Sequence, residues 1–211
     1  MSRYEKGHKA DTHRRVVEIA AQRFRAEGVD GVGVASLMAD AGLTHGGFYA
    51  HFASKEALVK EALILALSSS SAYAKGVTAD PASPLDLRAY VDFYLSPAHR
   101  DKPATSCAMA ALAPEVTRRP KATRAAFGKE LQRLIARIST GLPEKLSPEH
   151  RLGLAYGIFA QLMGSLQLAR VIADKALSDQ VLALGRNNAL AFAGLAQQPA
   201  GEKAAAVSKK R

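Results

Sequence analysis

The 211-residue sequence has one cysteine, no tryptophan and only 6% aromatic residues. A single thiol, Cys107, excludes an internal disulfide framework and fits a reducing compartment. No stretch approaches ~18 uninterrupted apolar residues, so no membrane span is expected. The opening MSRYEKGHKAD is polar with no apolar run behind it, unlike a secretory leader. A soluble, cytoplasmic protein is the expectation. Alternating strand patterns and internal repeats are missing too. The six histidines show no metal-ligand spacing, so no metal site and no cofactor are expected. Without a Ser/His/Asp constellation, a phosphate loop or paired carboxylates in an apolar setting, nothing points to an enzyme.

What is present is apolar and helix-forming. Hydrophobic residues make up 48% of the chain, and the abundant alanine and leucine favour helix. An all-α fold with a sizeable core follows. The net charge of +10 points to a polyanionic partner. Its distribution weakens that inference: nine Lys/Arg against seven Asp/Glu in residues 1–60, sixteen against eleven in 61–196, and four against one in 197–211.

The pattern of apolar residues and stops divides the chain. Residues 1–10 read as a flexible basic arm. Val16, Val17, Ala20 and Phe24 share one helical face, Asp11 or Thr12 can cap it, and Gly28 stops it, which predicts a helix over 12–27. Short helices follow over 34–41, closed by Gly42, and over 44–52, opened by Thr44. A fourth starts at Ser54 and frays in the serine run 68–71. Further helices are expected over 84–96, 105–118, 120–140, 148–173 and 177–196, with a loop over 96–105 and a disordered basic tail over 197–211. The chain then divides into a small helical unit over 11–58 and a larger one over 59–196.

Two short helices joined by a glycine turn outline a helix-turn-helix. The second is poor in Lys and Arg. Its exposed face would show Thr44, His45, Gly47, Tyr49 and His51, with Phe48 and Phe52 inward. Small or hydrogen-bonding side chains near the start of such a helix suit base edges, so Thr44 and His45 are candidates for reading bases. Tyr49 and His51 can bond phosphates, which sets register. Lys55 places a cation where the next helix's free amides already favour a phosphate.

The run GLTHGGFYAHFASKEALV resembles the signature of the TetR family of bacterial transcriptional regulators. In that family a glycine turn leads into a recognition helix with a Tyr-x-His-Phe core and a Ser-Lys-Glu-x-Leu start to the next helix. Here those residues are Gly42, Tyr49, His51, Phe52, Ser54, Lys55, Glu56 and Leu58. The upstream Phe24-x-x-x-Gly28 and Leu37-Met38-Ala39-x-Ala41-Gly42 are similar as well, so the likeness spans about 12–65. It implies that Thr44, His45, Gly47, Tyr49 and His51 face DNA and that Lys55 clamps a phosphate. Gly33, Ala35 and the pair Gly46-Gly47 depart from the family's usual residues.

The resemblance further implies a homodimer on palindromic double-stranded operator DNA. It implies a repressor that releases its operator when a small molecule binds the C-terminal domain. Residues 152–172 carry one charge, Arg170, and small residues at Gly153, Gly157, Ala160 and Gly164 allow close approach; a dimer interface over 150–196 is expected. Candidates for the ligand pocket are Tyr90, Tyr94, Cys107, Phe127, Phe159, Gln161, Met163 and Gln167, with Phe93, Met109 and Tyr156 beside them. Gln161 and Gln167 need partners if buried, from a ligand or the other subunit. An alternative effector is thiol chemistry: Cys107 lies near a helix start, where free amides lower a thiol pKa, and some regulators that the chain resembles sense oxidants or electrophiles through a cysteine. The basic stretch 118–137 reads as a solvated helix face.

Overall fold

The computed structural model describes residues 3–69 and 83–195, and all regular structure within them is helical. α1 (Arg3–Glu27), α2 (Val34–Asp40), a 3₁₀ helix (His45–Ala50) and α3 (Lys55–Ser68) form the N-terminal part. α4 (Leu87–Tyr94), the single turn α5 (Pro97–Arg100), a 3₁₀ turn (Pro103–Thr105), α6 (Ala108–Val116), α7 (Lys121–Ser139), α8 (Pro148–Val171) and α9 (Lys175–Phe192) follow.

Local chemistry sets most boundaries. Gly28 and Gly42 stand at φ +79° and +68°, the left-handed conformation that ends α1 and α2 without a Cβ penalty. Ser54, Asp86, Ser96, Ser147 and Asp174 each accept an amide three residues on and so start α3, α4, α5, α8 and α9. The start of α1 departs from the pattern. The helix begins at Arg3, so residues 3–10 are helical rather than a flexible arm, and Asp11 and Thr12 lie inside it. Thr12 is buried and Asp11 pairs with Arg14 one turn on, so neither serves as a cap. The expected loop over 96–105 contains α5 and a 3₁₀ turn, and the following helix is shortened to Ala108–Val116. The end of the serine run and the basic tail 197–211 lie outside the described residues.

The N-terminal part closes around Val16, Ala20, Phe24, Leu37, Met38, Phe48, Phe52 and Leu58, all buried. In the C-terminal part α8 and α9 pack antiparallel, as Ser178 Oγ donating to the Ala169 carbonyl at 2.6 Å near their turn and Gly185 against Ser165 further along require. By length and composition alone α8 could cross a membrane, with a mean hydropathy of 1.3 over its most apolar stretch, a test that core helices of globular proteins also pass. Counting uninterrupted runs missed it because glycine, serine and glutamine interrupt the leucines. Ala155, Ile158, Phe159, Leu162 and Leu166 face the helical core. Leu152, Tyr156, Leu168 and Val171 are left exposed on α8, as are Leu177, Leu184 and Phe192 on α9.

Candidate nucleic-acid interface

α2, the Gly42 turn and the segment 44–52 make the helix-turn-helix, with one change from expectation. The second element is a 3₁₀ helix over His45–Ala50 rather than an α-helix over 44–52, and Thr44 precedes it without a side-chain cap bond. Gly46-Gly47 supplies the reason: each glycine disfavours α-helix by about 1 kcal/mol relative to alanine, and only one turn follows. The segment is held from below instead. Phe48 is 2% exposed and stacks on Phe52 at 5.4 Å between ring centroids, while Phe52 stacks on His13 of α1 at 4.3 Å.

Above that anchor, Thr44, His45 and Gly46 are exposed, Gly47 is half-buried, and Tyr49 is 72% exposed, its ring edge-on to Phe48 at 5.3 Å. Thr44, His45 and Tyr49 are therefore all open to solvent. His51 differs from them. It is half-buried beside His13 at 6.3 Å, and its Nδ1 is buried without a hydrogen-bond partner. Burial, with the charges of Lys9 and His13 behind it, holds its pKa below the ordinary 6.5. Lys55 does not stand free either: its Nζ donates to the Val32 carbonyl at 2.8 Å, bracing the start of α3 against the turn before α2.

Two arginines that sequence patterns pass over fix this unit to α1. Arg15 donates to the Ala41 carbonyl at the end of α2. Arg23 bonds Glu27 at 2.7 Å, Asp40 at 2.7 Å and Ser36 at 3.1 Å. Both are legible only as charged residues on a helix face until α2 is placed against them.

On the C-terminal side the eight ligand candidates take varied positions. Tyr90, Tyr94, Cys107, Phe127 and Phe159 are buried, and Gln161, Met163 and Gln167 are half-buried. The two glutamines are satisfied within the chain, Gln161 by the Ser165 hydroxyl at 3.2 Å and Gln167 by the Ala110 carbonyl, so neither requires a ligand or a second subunit. A cleft of ≈ 410 Å³, open to solvent, lies elsewhere, between Arg100, Asp101, Arg170, Lys175 and Ser178, and includes none of the eight.

Cys107 corrects another expectation. It is 2% exposed at the start of α6, and burial pushes its thiol pKa up. The Ala110 and Met109 amides, Tyr94 and Arg170 oppose that rise without cancelling it. Its own amide donates to His99 Nε2 at 3.1 Å, and His99 Nδ1 in turn meets the Tyr94 carbonyl at 2.6 Å, which makes Nδ1 the donor and Nε2 the acceptor. The Tyr94 hydroxyl, next to the thiol, is buried without a hydrogen-bond partner of good geometry. Among the described residues no group of His, Cys, Asp and Glu is placed to hold a metal.

Comparison with known proteins agrees with this architecture. No curated protein matches the sequence. The fold is similar to that of a TetR transcriptional regulator from Chloroflexus aurantiacus J-10-FL, at 20% identity over 90% of this chain and 97% of that one, with a TM-score of 0.66. A TetR-family regulator from Cytophaga hutchinsonii is alike at 18% identity, 91% and 98% coverage and TM-score 0.66. NemR of E. coli in its reduced form is alike at 21% identity, 86% and 97% coverage and TM-score 0.63. Residues 16–62, from the buried face of α1 to the middle of α3, match the family model described as bacterial regulatory proteins, tetR family. The helix-turn-helix domain over residues 16–62 is therefore of the kind that this family of regulators carries, and the fold as a whole is similar to theirs.

Proposed function

We propose that the protein is a homodimeric repressor that binds a palindromic operator and releases it when a small molecule occupies the C-terminal domain. The observation that carries the DNA half is the exposure of Thr44, His45 and Tyr49 on a segment anchored by the buried Phe48. An aromatic hydroxyl this open on a rigid base suits a phosphate, and the small residues before it suit base edges. Gly47 lets the backbone approach. His51 and Lys55 complete the set, His51 by the part of its half-buried ring that stays open rather than by its buried Nδ1, and Lys55 after exchanging the Val32 carbonyl for a phosphate. The DNA-binding unit in this reading covers 11–58 and the effector and dimer unit 59–196. Dimerisation would cover the apolar faces of α8 and α9, where Leu168 is 61% and Val171 82% exposed.

The test is binding to the DNA upstream of the protein's own reading frame, at stated salt. Tyr49→Ala is expected to weaken selective binding by about tenfold or more, the scale of a lost charge-assisted hydrogen bond. Lys55→Ala is expected to weaken binding to all sequences alike. Weak, unselective binding that ignores both substitutions overturns the reading.

A second reading replaces the small-molecule pocket by thiol chemistry. A likeness in fold to a regulator solved in a reduced form favours it, while the burial of Cys107 works against it and requires the thiol to be uncovered before it reacts. An electrophile should then release operator from the wild type and not from Cys107→Ser. Because burial raises the thiol pKa, release should quicken with rising pH as more thiolate forms. Equal release from both proteins ends this reading.

A further inference from the structure

We propose that Glu115 and Arg119, carried by the C-terminal part at the end of α6 and just beyond it, are positioning residues for DNA binding. The inference rests on the DNA-binding reading above and names what orients the helix-turn-helix.

Glu115 reaches across to the turn after α1. Its Oε2 accepts the Val29 amide at 2.7 Å, and its Oε1 lies 2.8 Å from where a side chain on Gly28 would begin. Val29 is fully buried, so without Glu115 its amide would face no acceptor. Arg119 sits one helical turn on. Its Nη2 donates to Asp30 at 2.7 Å and lies 3.9 Å from Glu115, and its Nη1 lies 3.8 Å from Glu56. Glu56 in turn accepts from Thr123 of α7 at 2.7 Å.

One guanidinium, only 16% exposed, therefore serves three carboxylates from three elements. Two of those elements bracket the recognition segment: Asp30 lies in the turn before α2, and Glu56 follows Lys55 at the start of α3. Removing the cation leaves like charges facing one another. The turn before α2 and the start of α3 then lose the cation they share, and keep only the separate contacts of Val29 to Glu115 and of Glu56 to Thr123. The place of these contacts between the parts indicates orientation of the reading head rather than its internal stability.

The experiment uses the full-length protein and the operator assay above, with thermal unfolding and molecular mass measured alongside. Arg119→Ala is expected to lower selective affinity about tenfold, the equivalent of one charged hydrogen bond, at unchanged mass. Arg119→Lys, which keeps the charge without the fork, should recover part of that loss. The exchange Asp30→Arg with Arg119→Asp should recover most of it, a rescue that general destabilisation does not give. Glu115→Gln tests the second contact where Arg119→Ala folds poorly, and should speed amide exchange at Val29 while weakening operator binding. Wild-type affinity in Arg119→Ala and Glu115→Gln overturns the inference, as does a loss that follows the unfolding midpoint and is not rescued by the exchange. If the wild type itself ignores its upstream DNA, the regulator reading falls and this inference with it; if only the Tyr49 variant loses binding, this inference alone falls.

Discussion

Phe48→Ala is expected to destabilise the N-terminal domain by about 3–5 kcal/mol and to abolish operator binding, whereas Tyr49→Ala next to it leaves stability nearly unchanged. The ring of Phe48 is 2% exposed and that of Tyr49 72%. Truncating Phe48 removes the stacked contact with Phe52 and, through it, the link to His13 on α1. Two glycines and a single 3₁₀ turn cannot hold the segment in place without that anchor. Tyr49 contributes one edge contact to Phe48 and otherwise faces solvent. Thermal unfolding with operator titration separates the two: Phe48→Ala fails in both, Tyr49→Ala in titration alone. A stable Phe48→Ala that binds normally would mean that the core drawn under the recognition segment is wrong.

The second large effect lies at the α8–α9 crossing. A Cβ at Gly185 would fall 2.4 Å from Ser165 Oγ, 2.6 Å from Ser165 Cβ and 3.0 Å from Leu95 Cδ1. The Ser165 Cβ cannot rotate away, so the two helices must separate. Gly185→Leu is expected to cost about 3 kcal/mol, at the upper end of overpacking, even after the gain in helix propensity. Gly157 provides the contrast on α8, since a Cβ there meets nothing within 4 Å. Gly157→Glu should leave the monomer folded yet place a charge on the apolar face proposed for dimerisation. Sedimentation should then give half the mass and operator affinity should collapse. A Gly157→Glu dimer of full mass would move the interface elsewhere.

These contrasts follow the division between what the sequence expresses and what it conceals. Gly42 and Ser54 were legible because turn stops and caps act within three or four residues, and the structure uses both. Phe48 and Phe52 followed from periodicity. The 3₁₀ form of the recognition segment did not, although Gly46-Gly47 weakens an α-helix there, because so short a segment is held in place only by the Phe48 anchor that folding buries. Lys55 appeared as a cation at a helix start, and its partner, the Val32 carbonyl, depends on where the preceding turn lies. Cys107 shows the same competition: neighbouring amides lower a thiol pKa, but the tertiary burial that overrides them leaves no local mark. Glu115 and Arg119 read as ordinary charges until the two parts meet.

α1 joins these features mechanically. Near its C-terminal end Arg25 bonds the Ala66 and Ala104 carbonyls at 3.0 and 2.7 Å, while His13, farther back, meets Phe52 of the reading head. Arg25 lies twelve residue steps along the helix from His13, a rod of about 18 Å at about 1.5 Å per residue. A tilt of roughly 5° about the Arg25 end carries the reading head sideways by about 1.6 Å along such a rod. In the proposed two-fold dimer, the same tilt in both subunits would change the separation of the heads by about 3 Å, close to the ~3.4 Å rise of one base pair. A pivot of a few degrees at Arg25 would then be enough, by length and symmetry alone, to match a full step of the double helix.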